Sequence, residues 1–302
     1  MIDPAELYEI DADAPELDEP VLLVALDGFV DAGNAARLAC AALLGDTDPT
    51  VVVRFDADQL VDYRSRRPPL RFETDHWASY SGPELQIVAL ADTGTTPYLL
   101  LTGPEPDTQW ERFCAAVLQV VEQLGVRLVI NLTAIPMAVP HTRPIGVTAH
   151  GTRPELTEGH EAWFATAEVP GSAVGLMEFR LGEAGQDAMG FAVHVPHYLA
   201  RAEYPQAARV LLDHVGLAAG LYLPTDALSG AAARAEAEIA EQVEASDEVK
   251  QVVAALERQY DTVVESRAEG GAMGLGGELP SADELAAEVE RYLADRDDPG
   301  SA

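Results

Sequence analysis

The chain has 302 residues, enough for one large core or two modest ones, and hydrophobic residues make up 48 % with only 6 % aromatic, so an aliphatic core is expected. Acidic residues number 51 against 19 basic, a formal net charge of −32 that repels phosphate backbones and anionic leaflets and argues against nucleic acid or membrane as a partner. Lys250 is the single lysine, which excludes most chemistry that needs a Lys beside a phosphate or a carbonyl.

The acidic start, MIDPAELYEIDADAPELDEP, lacks the basic and then apolar character of a signal peptide, and no run approaches the roughly 20 apolar residues that span a bilayer. A cytoplasmic protein is expected. Val21–Leu26 is a continuous apolar run closed by Asp27-Gly28, the pattern of a strand buried on both faces, and a helix is expected from about Ala32 to Leu44. Val51–Phe55, Leu85–Leu90 and Tyr98–Thr102 read as strands, Trp110–Leu124 as a helix, and RLVINLTAI from Arg127 as another buried strand. VGLMEFRL (174–181) and MGFAVHVP (189–196) read as further strands, and Tyr204–Leu221 as a helix. This alternation predicts an α/β fold, a sheet covered by helices, ending near Pro224.

Residues 231–269 predict a long amphipathic helix or a helical pair. GGAMGLGG (270–277) reads as a linker and Ser281-Ala-Asp-Glu284 as a capping box opening a short helix to about Ala294. The expected organisation is a core at 1–225, a helical segment at 226–269, a Gly-rich linker at 270–280, and a terminal helix and tail at 281–302. Cys40 and Cys114 both lie in apolar helix-like stretches and are expected to be buried free thiols.

Four segments carry polar groups worth testing as sites. Asp27, Asp31 and Asn34 lie between a strand end and a helix start, where ligands settle in open α/β sheets, although the spacing is not G-x-G-x-x-G and two carboxylates disfavour phosphate. Arg64, Arg66, Arg67 and Arg71 form a cluster suited to an anionic ligand, to the protein's own carboxylates, or to pairing across a subunit interface. His141 and Arg143 follow one strand, and His194 and His197 another; these types suit acid–base work or oxyanion stabilisation. Two histidines alone make no metal site, and no metal or other cofactor is expected. Asp92-Thr93-Gly94 matches the aspartic-protease tripeptide but sits in an α/β context as a turn. Neither G-x-S-x-G, H-E-x-x-H nor C-x-x-C occurs, so no catalytic residue is assigned.

In their order and spacing, GFVDAGNAA (28–36), LTGPEPDTQW (101–110), AVPHTRP (138–144) and HVPHYLARAEYPQAA (194–208) resemble the proteasome assembly chaperone 2 family, and DYRSRRP (62–68) resembles its actinobacterial branch. The resemblance implies a three-layer α/β/α fold of the phosphorylase/hydrolase-like kind with a mostly parallel or mixed sheet. It also implies self-association into a small homo-oligomer, a trimer being favoured, and a chaperone-like role. It supplies no catalytic residues. Proteasome-docking relatives often end in a hydrophobic residue, Tyr and one more residue, whereas this chain ends Asp297-Asp298-Pro-Gly-Ser-Ala302, which argues against docking by the tail. The expected function is therefore protein binding by a homo-oligomer. The competing expectation is a small-ligand enzyme or sensor, with its site where loops 27–34, 141–143 and 194–197 converge.

Overall fold

The computed structural model describes residues 2–28, 30–45, 49–160, 162–163 and 166–268. The expected Gly-rich linker and terminal helix lie outside these residues. Among the described residues, eight strands form one mixed sheet in the order β1-β3-β6-β7-β2-β8-β10-β9. They are β1 (Tyr8–Ile10), β2 (Val21–Asp27), β3 (Thr50–Phe55), β6 (Leu85–Ala91), β7 (Pro97–Pro104), β8 (Leu128–Met137), β9 (Val147–Gly151) and β10 (Ala188–Pro196). The central four, β7, β2, β8 and β10, are mutually parallel, and antiparallel strands extend both sides.

Parallel strands must be covered on both faces, which explains their unbroken apolar runs. Leu23, Ile130 and Phe191 point to one face, where α1 (Ala35–Leu44) and α5 (Pro205–Ala219) pack. Leu22, Val129 and Leu101 point to the other, covered by α3 (Trp110–Gln123) and α4 (Ala173–Glu183). In α3 the buried set Phe113, Ala116, Val117, Val120 and Val121 keeps helical spacing, so burial of one stripe holds the helix on the sheet. Helices thus lie on both sides of the sheet, the three-layer arrangement expected. Cys40 and Cys114 are buried free thiols.

One expected strand is a helix. VGLMEFRL lies in α4: Ser172 caps it by accepting the Gly175 N–H at 3.0 Å, and Ala173, Met177 and Leu181 are buried at four-residue intervals. Phe179 faces water, so the apolar run is not a two-faced strand. The region after Pro224 is a helical pair, α6 (Ser229–Glu244) and α7 (Asp247–Ala268).

The short helix α2 (Ala57–Leu60) precedes a separate hairpin of β4 (Leu70–Glu73) and β5 (His76–Tyr80), whose residues are all exposed. Leu70 pairs with Tyr80 and Phe72 with Trp77, so four large apolar side chains, each more than half exposed, share one face. The Phe72 and Trp77 rings meet edge to face at 5.1 Å. The described residues up to 160 and those of 169–260 form one compact unit, and the described residues of 162–168 and 261–268 belong to a second. The sheet, its covering helices and the hairpin all belong to the first.

Candidate functional site

The parallel strands present their carboxyl ends together at Pro104, Asp27, Met137 and Pro196. The helix following β2 lies on one face and the helix following β7 on the other, so a crevice opens between these neighbouring strands. It is occupied by a cleft of about 540 Å³ lined by residues of β2, β7, α1 and both stems of the hairpin.

The loop after β2 owes its path to its own side chains. Asp31 accepts the N–H groups of Ala36 (2.8 Å) and Arg37 (3.0 Å), filling the amino end of α1 with a carboxylate of the same chain. Burial raises the Asp31 pKa, and these two N–H groups oppose the rise. Gly33 has φ 66°, and a Cβ there would stand 2.8 Å from Tyr204 Cβ, so both conformation and space call for glycine. Its N–H donates to Ala200 O (2.8 Å) and its carbonyl accepts from Tyr204 N (2.9 Å). Asn34 adopts a left-handed conformation and makes no side-chain cap.

Tyr198 organises the next loop. Its hydroxyl accepts the His141 N–H (2.9 Å) and lies 2.7 Å from His141 Nδ1. A hydroxyl that already accepts an N–H has its own proton to give, which favours the His141 tautomer protonated on Nε2. Burial lowers the His141 pKa, against the pull of Glu257 and Glu236, so the neutral ring is favoured. Thr142 Oγ1 donates to Glu257 (2.6 Å), Arg143 pairs with the same carboxylate (3.3 Å), and Tyr260 donates to Pro144 O (3.1 Å). Loop 141–144 is therefore fastened to α7.

The expected residues separate into three places. His141 and the turn holding His197 gather around Tyr198, the Asp31–Asn34 loop meets Tyr204 through the Gly33 carbonyl, and Arg143 sits beside His141 on Glu257. Asp27 lines the cleft, and Asp31 lines it too. His194 lies inside β10 with no exposed surface, its Nε2 2.8 Å from Thr148 Oγ1. His197 is exposed, its ring 5.4 Å from that of Tyr198. Among the Arg cluster, Arg66 donates to Asp27 O (3.2 Å) and pairs with Asp107 (3.2 Å), and Arg71 pairs with Glu73 (2.8 Å) on the hairpin. Arg64 and Arg67 are exposed.

Asp92 holds a turn. Its carboxylate accepts N–H groups from Gly94 (2.8 Å), Thr96 (2.7 Å) and Tyr222 (2.8 Å), pinning the β6–β7 connection to the segment after α5. Sequence reasoning did not find Tyr198, Tyr204 or Glu257, whose partners are remote in the chain. Nor did it find Glu178, which accepts from Asn131 Nδ2 (2.8 Å) and lies 2.8 Å from His150 Nδ1, tying α4 to β8 and β9. No group of three or more metal-ligating side chains, and no helix long and apolar enough to cross a membrane, occurs among the described residues.

The stretch that holds this sheet and these loops, residues 25–243, matches the family model PAC2, "PAC2 family". The chain belongs to the PAC2 family. A Mycobacterium tuberculosis protein of unknown function, Rv2714, is 50 % identical, with 86 % of this chain and 92 % of that chain covered at a TM-score of 0.81. A Corynebacterium glutamicum protein of unknown function is 39 % identical, with 86 % and 98 % covered and a TM-score of 0.81. The M. tuberculosis proteasome-assembly chaperone homologue Rv2125 is 28 % identical, with 77 % and 99 % covered and a TM-score of 0.71. No curated protein matches the chain.

Proposed function

We propose that this protein is a cytoplasmic homo-oligomer, a trimer, that acts as an assembly-chaperone-like protein by binding another protein rather than by catalysis. The observation that carries this reading is the hairpin. A two-stranded hairpin is marginal in water by itself, and this one presents Leu70, Phe72, Trp77 and Tyr80 to solvent on a single face. Covering that face would contribute roughly 1 kcal/mol for each side chain, given that each is about half exposed. Arg64 and Arg67 lie exposed beside the hairpin on a chain with a net charge of −32, which suits pairing between copies.

Similarity to a protein described as a proteasome-assembly chaperone homologue supports a protein partner. The histidine loops support the same reading, because Asp31, Nδ1 of His141 and Arg143 are engaged in bonds that hold the chain together. The test is the mass in solution of the full chain and of Phe72→Ser with Trp77→Ser, each checked for an intact fold by circular dichroism. A three-chain particle that falls to single chains in the double variant agrees with the reading. A monomeric parent chain rejects it.

A further inference from the structure

The cleft between β2 and β7 is not explained by protein binding. Its volume, about 540 Å³, falls in the range of small-molecule sites, roughly 300–1,000 Å³. One wall is α1, with Cys40 and Ala41. The other is the pair of hairpin stems, with Pro68 and Pro83, and the floor is the ends of the two strands. Most of this lining is apolar.

The charged groups that line it differ in whether they are already engaged. Arg37 pairs with Glu203 (2.8 Å) and Arg66 with Asp107 (3.2 Å), so both guanidinium groups have carboxylate partners of their own. The N–H groups at the start of α1, the usual anchor for an anion at such a crevice, are taken by Asp31. The carboxylate of Asp27, by contrast, makes no hydrogen bond or ion pair among the described residues. Arg37 and Arg66 line the cleft together with Asp27 and Asp31, and a phosphate or carboxylate would have to compete with the carboxylates these two arginines already hold. An entering cation would find an unpaired carboxylate, in the field of a chain with a net charge of −32.

We propose that this cleft binds a small amphipathic amine, its ammonium group on Asp27 and its apolar body between α1 and the hairpin stems. The site is independent of the assembly reading, because neither Asp27 nor Ala41 lies on the apolar face of the hairpin.

The experiment is calorimetric titration of the full chain with tryptamine and with indole-3-propionate, which pairs a like ring with the opposite charge, at about 0.15 M salt to screen diffuse attraction. Saturable binding of tryptamine is expected, with the carboxylate weaker by about ten-fold or more. Asp27→Asn weakens tryptamine by about ten-fold. Ala41→Trp, placed on an exposed helix position to plug the cleft, abolishes binding while leaving the melting curve of the unliganded chain unchanged. Absence of saturable tryptamine binding, equal binding of the carboxylate, or tryptamine binding indifferent to both variants overturns the proposal. Mass in solution, measured in parallel, separates this outcome from failure of the assembly reading.

Discussion

The central sheet and the β4–β5 hairpin use the same backbone pairing for opposite ends. In β2 six consecutive residues are buried and both faces are covered; in the hairpin all nine strand residues are exposed and the apolar side chains are left more than half exposed. Side chains in the sheet therefore contribute to folding, whereas those of the hairpin remain available for contact outside the fold. Stability and association should accordingly respond to different substitutions.

The largest separation is expected from Phe191→Ala. Phe191 is fully buried between the sheet and α5, with the His160 and His214 rings at 5.3 and 5.6 Å, and its truncation should cost about 3–5 kcal/mol in denaturant unfolding. A loss below about 1 kcal/mol would mean that this side of the core is loosely packed.

Asp92→Ala should come next, at roughly 3 kcal/mol, because three backbone N–H groups lose their acceptor. The pH dependence sharpens the point. Burial raises the Asp92 pKa, but the N–H groups of Tyr222, Thr96 and Gly94 outweigh it and hold the carboxyl below its ordinary value. The ionised form is thus favoured by folding. Its contribution is complete above the ordinary carboxylate value of 3.8 and fades as pH falls through the lowered one. Unfolding midpoints of Asp92→Ala should be flatter on the acid side than those of the parent, and parallel curves would contradict the assignment. The smallest effect on folding is expected from Phe72→Ala with Trp77→Ala, under about 0.5 kcal/mol when compared as single chains.

Most of the sheet was legible because a parallel strand buried on both faces writes itself as a continuous apolar run, as in Val21–Leu26 and in RLVINLTAI. The same signal misleads at VGLMEFRL, where Val174, Leu176, Met177, Phe179 and Leu181 mimic such a run although the helix buries only one stripe. Periodicity over eight residues does not separate the two, and the Ser172 cap was the stronger cue. The hairpin carries no such signal, because neither of its faces is buried and the segment entering it is rich in Arg and Pro. At the strand ends, the residue types around the loops were recognisable. Their grouping was not, since Tyr198 meets His141 and Glu257 meets Arg143 across more than fifty residues of chain. Equally, His194 is expected beside His197 at a strand end, yet β10 runs on through it to Pro196 and buries it.

Pro68 and Pro69 enter the hairpin and Pro83 leaves it. Each ring fixes its own φ near −65°, which removes three of the backbone torsions about which the arm could pivot. An ordered arm has little freedom left to surrender when its apolar face is covered, so encounter with a partner does not wait on its folding. Differences in affinity among hairpin variants should then appear mainly as differences in how long a complex lasts, rather than how fast it forms.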